Sequence, residues 1–238
     1  MIYALIGGAT IMVASVRSRR DKLYDFCVAF GLVIFCLAPL APAALLSRLE
    51  GPRNFDWLLY RADLALNLDS PTFAVYCYAT PWVRQALTAI YSSLPLALAL
   101  AWLLSGRPQA MVRVVLWSGI AAFAVFTIIP AAGPSHVFQG YPFLNPALSR
   151  YSLPAMVPRN AFPSLHLSWA LLALGNARGR CIRAALFVFA ILTGFATVGG
   201  GEHYFVDLIA AVPFCAVIQL LTEGRTPWTK CFNSSLDP

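Results

Sequence analysis

His166, His203 and Asp207 stand at the edges of hydrophobic segments, in Arg159-Asn-Ala-Phe-Pro-Ser-Leu-His166 and Gly199-Gly-Gly-Glu-His-Tyr-Phe-Val-Asp207. An Asp at the middle of a bilayer costs about 2.5 to 3.5 kcal/mol on insertion scales, so such residues mark a functional site by default. His203 and Asp207 are four apart and share one helical face. A carboxylate one turn below an imidazole can hold its N–H, fix the tautomer and leave the other nitrogen as nucleophile or base. Pro163 suits the first position of a helix, and a helix start offers unpaired N–H groups to phosphate oxygens, with the Ser164 hydroxyl beside them. Ser164 and His166 do not share a face, so both reach one ligand only if the chain turns into the helix between them. Gly199-Gly-Gly201 lets the backbone pass close to a ligand.

These residues need a membrane scaffold. The 238 residues are 59% hydrophobic and 11% charged, with mean hydropathy +0.70; a soluble domain carries about 25% charged residues. A span takes about 20 apolar residues, fewer where the bilayer thins. Seven segments qualify: Met1 to Val16, Leu23 to Leu46, Val83 to Leu104, Met111 to Ala132, Pro163 to Asn176, Ile182 to Val198 and Tyr204 to Leu221. The fold expected is therefore all-α, one polytopic membrane bundle of six to seven spans, with a catalytic core over about residues 111–222. Met1 to Val16 has no basic residues ahead of it and reads as a retained span. Six scattered cysteines suggest neither a disulfide framework nor a zinc site.

The charge of +7 does not call for nucleic acid, because the basic residues lie singly or in short clusters between apolar runs. Counted on alternate sides of the seven spans they divide 11 to 6, which makes the richer side and the C-terminus cytoplasmic. His136, His166, His203 and Asp207 then face outward, toward the periplasm if the membrane is a bacterial inner membrane. Before the third span, Arg53 to Leu68 mixes Phe55, Trp57, Leu58 and Tyr60 with Arg61 and Asp63, as a helix lying in the interface does. Ser70-Pro71 starts a second short helical piece, and Pro81 breaks it before the third span. The Pro-rich loop from Gly133 to Phe162 is long enough to act as a cover for the site.

PSLH, at Pro163 to His166, and HYFVD, at His203 to Asp207, resemble the second and third signatures of the type 2 phosphatidic acid phosphatase superfamily. The Leu in PSLH, the Tyr after His203 and Pro130-Ala-Ala-Gly-Pro134 look more like its inositol phosphorylceramide synthase branch. The resemblance implies that His203 forms a phosphohistidine, Asp207 orients it, His166 protonates the leaving oxygen and Ser164 binds phosphate oxygens; with no spare carboxylate cluster near the two histidines, no metal or other cofactor is expected. The chain departs from the family pattern in two places. Ala196-Thr197 stands where a Ser-Arg pair is usual, and no K-x6-R-P precedes PSLH. A transferred phosphoryl group still needs its charge met, which leaves Arg159 and Arg150 as substitutes, with His136 read as an ordinary loop histidine.

The function expected is a lipid phosphatase or phosphotransferase that passes phosphate, or a phosphate-linked head group, from a lipid to water or an alcohol. Two other classes remain open. A transporter would use the same His and Asp to line a path, and a zinc hydrolase would hold metal on two His and an Asp. A serine hydrolase built on Ser164 lacks the G-x-S-x-G elbow.

Overall fold

The computed structural model describes residues 31, 53–104, 108–142 and 157–224, and the described elements are helical. The expected spans Met1 to Val16 and Leu23 to Leu46 lie outside the described residues, apart from Gly31.

The interfacial segment forms two short helices, α1 (Asp56–Ala65) and α2 (Ser70–Ala79). On α1 the buried positions Asp56, Leu59, Tyr60 and Asp63 recur at helical spacing, while Trp57, Leu58 and Leu64 are exposed. The helix therefore turns a carboxylate-bearing stripe inward and an apolar one outward. Asn67, at φ 58, ends the turn beyond α1. Asp69 caps α2 by accepting from the Thr72 N–H at 3.2 Å and its hydroxyl at 2.6 Å, with Pro71 in the first turn.

The third expected span, Val83 to Leu104, is not one straight helix. It divides into α3 (Pro81–Ser92) and α4 (Leu94–Leu104), bent by 49°. Pro95 supplies no N–H to continue the ladder, and the Ser93 hydroxyl turns back to the Ile90 carbonyl at 2.7 Å. Beyond it come α5 (Pro108–Ile128), α6 (Pro134–Val137), α7 (Leu165–Asn176), α8 (Arg180–Gly199) and α9 (Phe205–Glu223). Among the described residues three helices, in α5, α8 and α9, are long and apolar enough to cross a membrane, or four spans if the bent pair is one. The protein is an integral membrane protein.

The fifth expected segment, Pro163 to Asn176, begins as a helix at Leu165. Pro163 lies outside the helix, Ser164 is its cap, and α7 has 12 residues, about 18 Å of rise, short of the hydrocarbon thickness of roughly 30 Å. It is the central post of the bundle, with Leu167, Trp169, Ala170, Leu172 and Ala173 buried in the main apolar cluster alongside Leu98, Met111, Phe126 and Ile218. Polar ties hold it there. The Trp169 indole donates to the Ser118 hydroxyl at 3.0 Å, and Asn176 and Gln219 exchange amide bonds at 3.1 and 3.3 Å. Phe187, Ile191, Phe195, Ile209, Val212 and Val217 stay exposed on α8 and α9, which suits a lipid-facing surface.

Chain direction places the histidines together. Arg113 near the start of α5 pairs with Glu223 at the end of α9 at 2.7 Å. The α7–α8 turn lies at that same end, so the end of α5, the start of α7 and the α8–α9 turn meet at the other.

Candidate active site

The turn between α8 and α9 carries His203. Thr197 at the end of α8 accepts the N–H groups of Glu202 at 3.0 Å and His203 at 3.3 Å, while its hydroxyl bonds the Gly194 carbonyl at 2.9 Å. Ala196-Thr197 thus sends no charge toward the site. Gly201, at φ 76, packs so closely on the Tyr141 ring that a Cβ has no room. Gly201 therefore serves a contact within the protein, whereas Gly199 and Gly200 line a neighbouring cavity.

His203 is 4% exposed. Its Nδ1 lies 2.8 Å from the Ala161 carbonyl and 3.3 Å from Asp207 Oδ2. Both partners are acceptors, so Nδ1 carries the proton and Nε2 is left as the basic nitrogen. The expected His203–Asp207 pair is present, but a backbone carbonyl is the nearer partner. Asp207 Oδ2 also accepts the Tyr204 N–H at 2.8 Å, so one oxygen holds both the imidazole and the entry to α9. The Ala161 carbonyl is fixed in turn, since its N–H donates to the Ala131 carbonyl at 2.8 Å.

His166, in the first turn of α7, lies with its ring centre 6.3 Å from that of His203, the planes at 61°. Tyr91 of α3 stacks on it at 4.0 Å and 18°. The two histidines share a cavity of about 240 Å³, whose walls include Tyr91, His136, Asn160 and Glu202. A tetrahedral phosphate in it can touch both rings.

Two other expected ligands, Ser164 and Arg159, are placed differently. Ser164 is buried, its hydroxyl accepting from the Leu167 N–H at 3.5 Å and its own N–H donating to the Asp207 carbonyl at 3.2 Å. It caps α7 and joins it to α9, behind the cavity wall. Arg159 is also buried and donates to the Arg53 carbonyl at 2.7 Å, tying the segment before α7 to the entry of α1. Pro158 and Asn160 on either side of it line the cavity, and Arg159 does not. Arg150 lies outside the described residues. No Lys or Arg among the described residues lines the cavity.

Two aspartates that sequence reasoning passed over hold the site together. Asp56 accepts the N–H groups of Ala132 and Gly133, both at 2.8 Å, and the Tyr204 phenol at 3.0 Å. Asp63 accepts the N–H groups of Phe205 at 2.9 Å and Val206 at 2.7 Å, together with the Ser70 hydroxyl. The first turn of α9 is thus capped from another helix. Burial pushes both carboxyls up from the usual range, against the lowering effect of their donors. The available signal was their spacing of seven residues, two turns on one face of a helix otherwise rich in aromatic and aliphatic residues. With Tyr91, they extend the site ahead of the 111–222 core.

At the mouth, His136 Nε2 lies 3.3 Å from Glu202 Oε2. The hydrogen bond to Glu202 raises the His136 pKa, with burial opposing it and the charges of Glu202 and Asp56 adding to the rise. Among the described residues no three His, Cys, Asp or Glu side chains are grouped to hold a metal ion.

Residues 57–221 match the PAP2 superfamily. Among solved structures, the chain is similar to the crystal structure of Aquifex aeolicus LpxE, at 16% identity and TM-score 0.47, over 63% of this chain and 92% of that one. No curated protein matches it.

Proposed function

The chain belongs to the PAP2 superfamily, and from that premise we propose that it is a lipid phosphatase working through a phosphohistidine, without metal. The observation that carries this reading is the His203 ring, its Nδ1 committed to Ala161 and Asp207 and its remaining nitrogen in a cavity shared with His166. His203 Nε2 attacks phosphorus, the bond to the lipid oxygen breaks, and His166 gives that oxygen its proton. Water then gives a proton to His166 and attacks phosphorus, the P–N bond breaks, and inorganic phosphate leaves with both rings restored. Asn160 lines the cavity and offers amide N–H donors to phosphate oxygens.

A second reading, transfer to an alcohol as in the inositol phosphorylceramide synthase branch, is favoured by a neighbouring cavity of about 180 Å³. It shares Tyr91 and Glu202 with the first and adds Arg84, Thr88 and Tyr78, so a hydroxyl-rich acceptor has both room and hydrogen-bonding partners beside the phosphate.

Purified protein in detergent, given a panel of prenyl, glycerol and sphingoid phosphates, should release phosphate in a vanadate-sensitive manner, and exhaustive chelation should leave the rate intact. A transporter shows no turnover. A zinc hydrolase loses activity to the chelator and regains it with zinc. Added alcohols distinguish transfer from hydrolysis through the phosphodiester formed. The site is proposed to face the extracytoplasmic side, so an impermeant thiol reagent should reach a cysteine introduced at Asn145 and miss one at Gly179. The reverse pattern inverts the topology.

A further inference from the structure

A phosphoryl group in transfer carries charge on its equatorial oxygens, and enzymes meet that charge with fixed donors. Here Arg159 does not line the cavity, Arg150 lies outside the described residues, and His136 stands in the wall. We propose that His136, bridged to Glu202, is the phosphate-binding cation of this site, an inference that rests on the reaction proposed above.

The placement of His136 is built. Ala132 and Gly133 donate to Asp56, which fixes the approach of the chain from α5. Gly133, at φ 92, lies against the Glu202 carbonyl with no space for a Cβ. Ser135 then donates its N–H to the Gly201 carbonyl at 2.9 Å, and the His136 N–H donates to the Gly133 carbonyl at 3.1 Å. The turn bearing His136 is therefore stapled to Gly201 and Glu202, the two residues ahead of His203. A protonated imidazole has two N–H donors. One answers Glu202, and the other is available to a phosphate oxygen in the cavity both residues line.

Glu202 has two opposing effects on an anion. It keeps His136 charged toward neutral pH, and it places a carboxylate near the phosphate. Among the described residues, the other ionisable groups facing the ring are Asp56 through space, and His166, His203 and Tyr91 across the cavity. The pair thus binds phosphate by a directed donor, and its strength follows the protonation of one histidine.

Binding of inorganic phosphate to the full-length protein in detergent tests this, measured between about pH 5 and 9 around the ordinary histidine value. Phosphate's own titration is common to every variant and cancels on comparison. His136→Gln should bind roughly ten- to a hundredfold more weakly near pH 6, as loss of one charge-assisted hydrogen bond implies. His136→Lys should restore binding and abolish the variant-specific loss of affinity as pH rises. Glu202→Gln should bind at least as well as wild type at the acid end and lose affinity at a lower pH. The inference is overturned by wild-type affinity in folded His136→Gln near pH 6, by a pH dependence unmoved in Glu202→Gln, or by wild-type protein that binds no phosphate. The underlying reading is tested separately by His203→Gln, which should bind phosphate and turn nothing over; turnover by that variant overturns the reaction and leaves the binding result standing.

Discussion

The Asp56 carboxylate accepts the Tyr204 phenol at 3.0 Å across 148 positions of sequence, joining an interfacial helix to the residue that follows His203. The same carboxylate takes two N–H groups from the turn that leads to His136. Asp56→Ala leaves two backbone donors and a phenol unpaired in a buried place, on the order of 3 kcal/mol of stability in all. Asp56→Asn is not a safe substitute, since its amide nitrogen faces donors. Both should lower the melting temperature, and kcat should fall more than KM rises because the geometry around His203 loosens. Unchanged kcat in a folded Asp56→Ala protein would remove Asp56 from any positioning role.

Gly133→Ala tests the staple between the α5 exit and the His203 turn. The substitution asks an L-residue to hold φ 92 and directs its Cβ at the Glu202 backbone, which cannot swing aside like a side chain. Strain of about 1 to 3 kcal/mol follows, and turnover should drop by roughly tenfold or more. Wild-type turnover would show that the turn can shift without cost to the site.

The His136–Glu202 pair gives a signed dependence of stability on pH. Its hydrogen bond raises the folded-state pKa of His136. The stabilisation is then fully present below the unfolded value of about 6.5 and is lost as pH rises through the raised folded value. Wild type should therefore melt above His136→Gln at about pH 5.5 to 6, and the gap should close as pH rises past that window. A gap that widens with pH would reverse the sign and place the neutral ring in the folded state.

His166 and His203 should separate by leaving group. General acid catalysis contributes about 10² to 10⁴-fold when the leaving oxygen is a poor one, as in a lipid alkoxide. An activated aryl phosphate departs without that help. His166→Gln should lose lipid turnover yet still release phenol in a burst followed by slow turnover, because the same imidazole serves the second step. His203→Gln should be inactive on both substrates. A burst from His203→Gln and none from His166→Gln would exchange the two roles.

Local spacing made part of this site legible. His203 and Asp207 are one turn apart on any helix, and the alternation of apolar segments sent both histidines to one end, as observed. What was less legible depended mostly on partners far away in sequence. Arg159 looked like a phosphate ligand because it stands close before PSLH, but its guanidinium finds the Arg53 carbonyl. Ser164 reads as a cradle, and its hydroxyl also accepts the Leu167 N–H of the helix it caps. Asp63 looked like one polar residue in an interfacial mixture, since nothing local announces that it will cap a helix 142 positions on. The bend at Ser93 was hidden because Pro95 lies inside an apolar run that reads as continuous.

The central claim is the covalent bond between phosphorus and His203 Nε2. Its most direct test is to mix wild-type protein with a phosphate-labelled lipid substrate, quench within a turnover, and map the label by peptide. Phosphohistidine is stable in alkali and labile in acid, so the quench must be alkaline. The account predicts label on the peptide bearing His203, lost on acid treatment and absent from His203→Gln. Label on a serine, label on His166, or rapid turnover in which no phosphoenzyme accumulates even in His166→Gln with an aryl phosphate would contradict it.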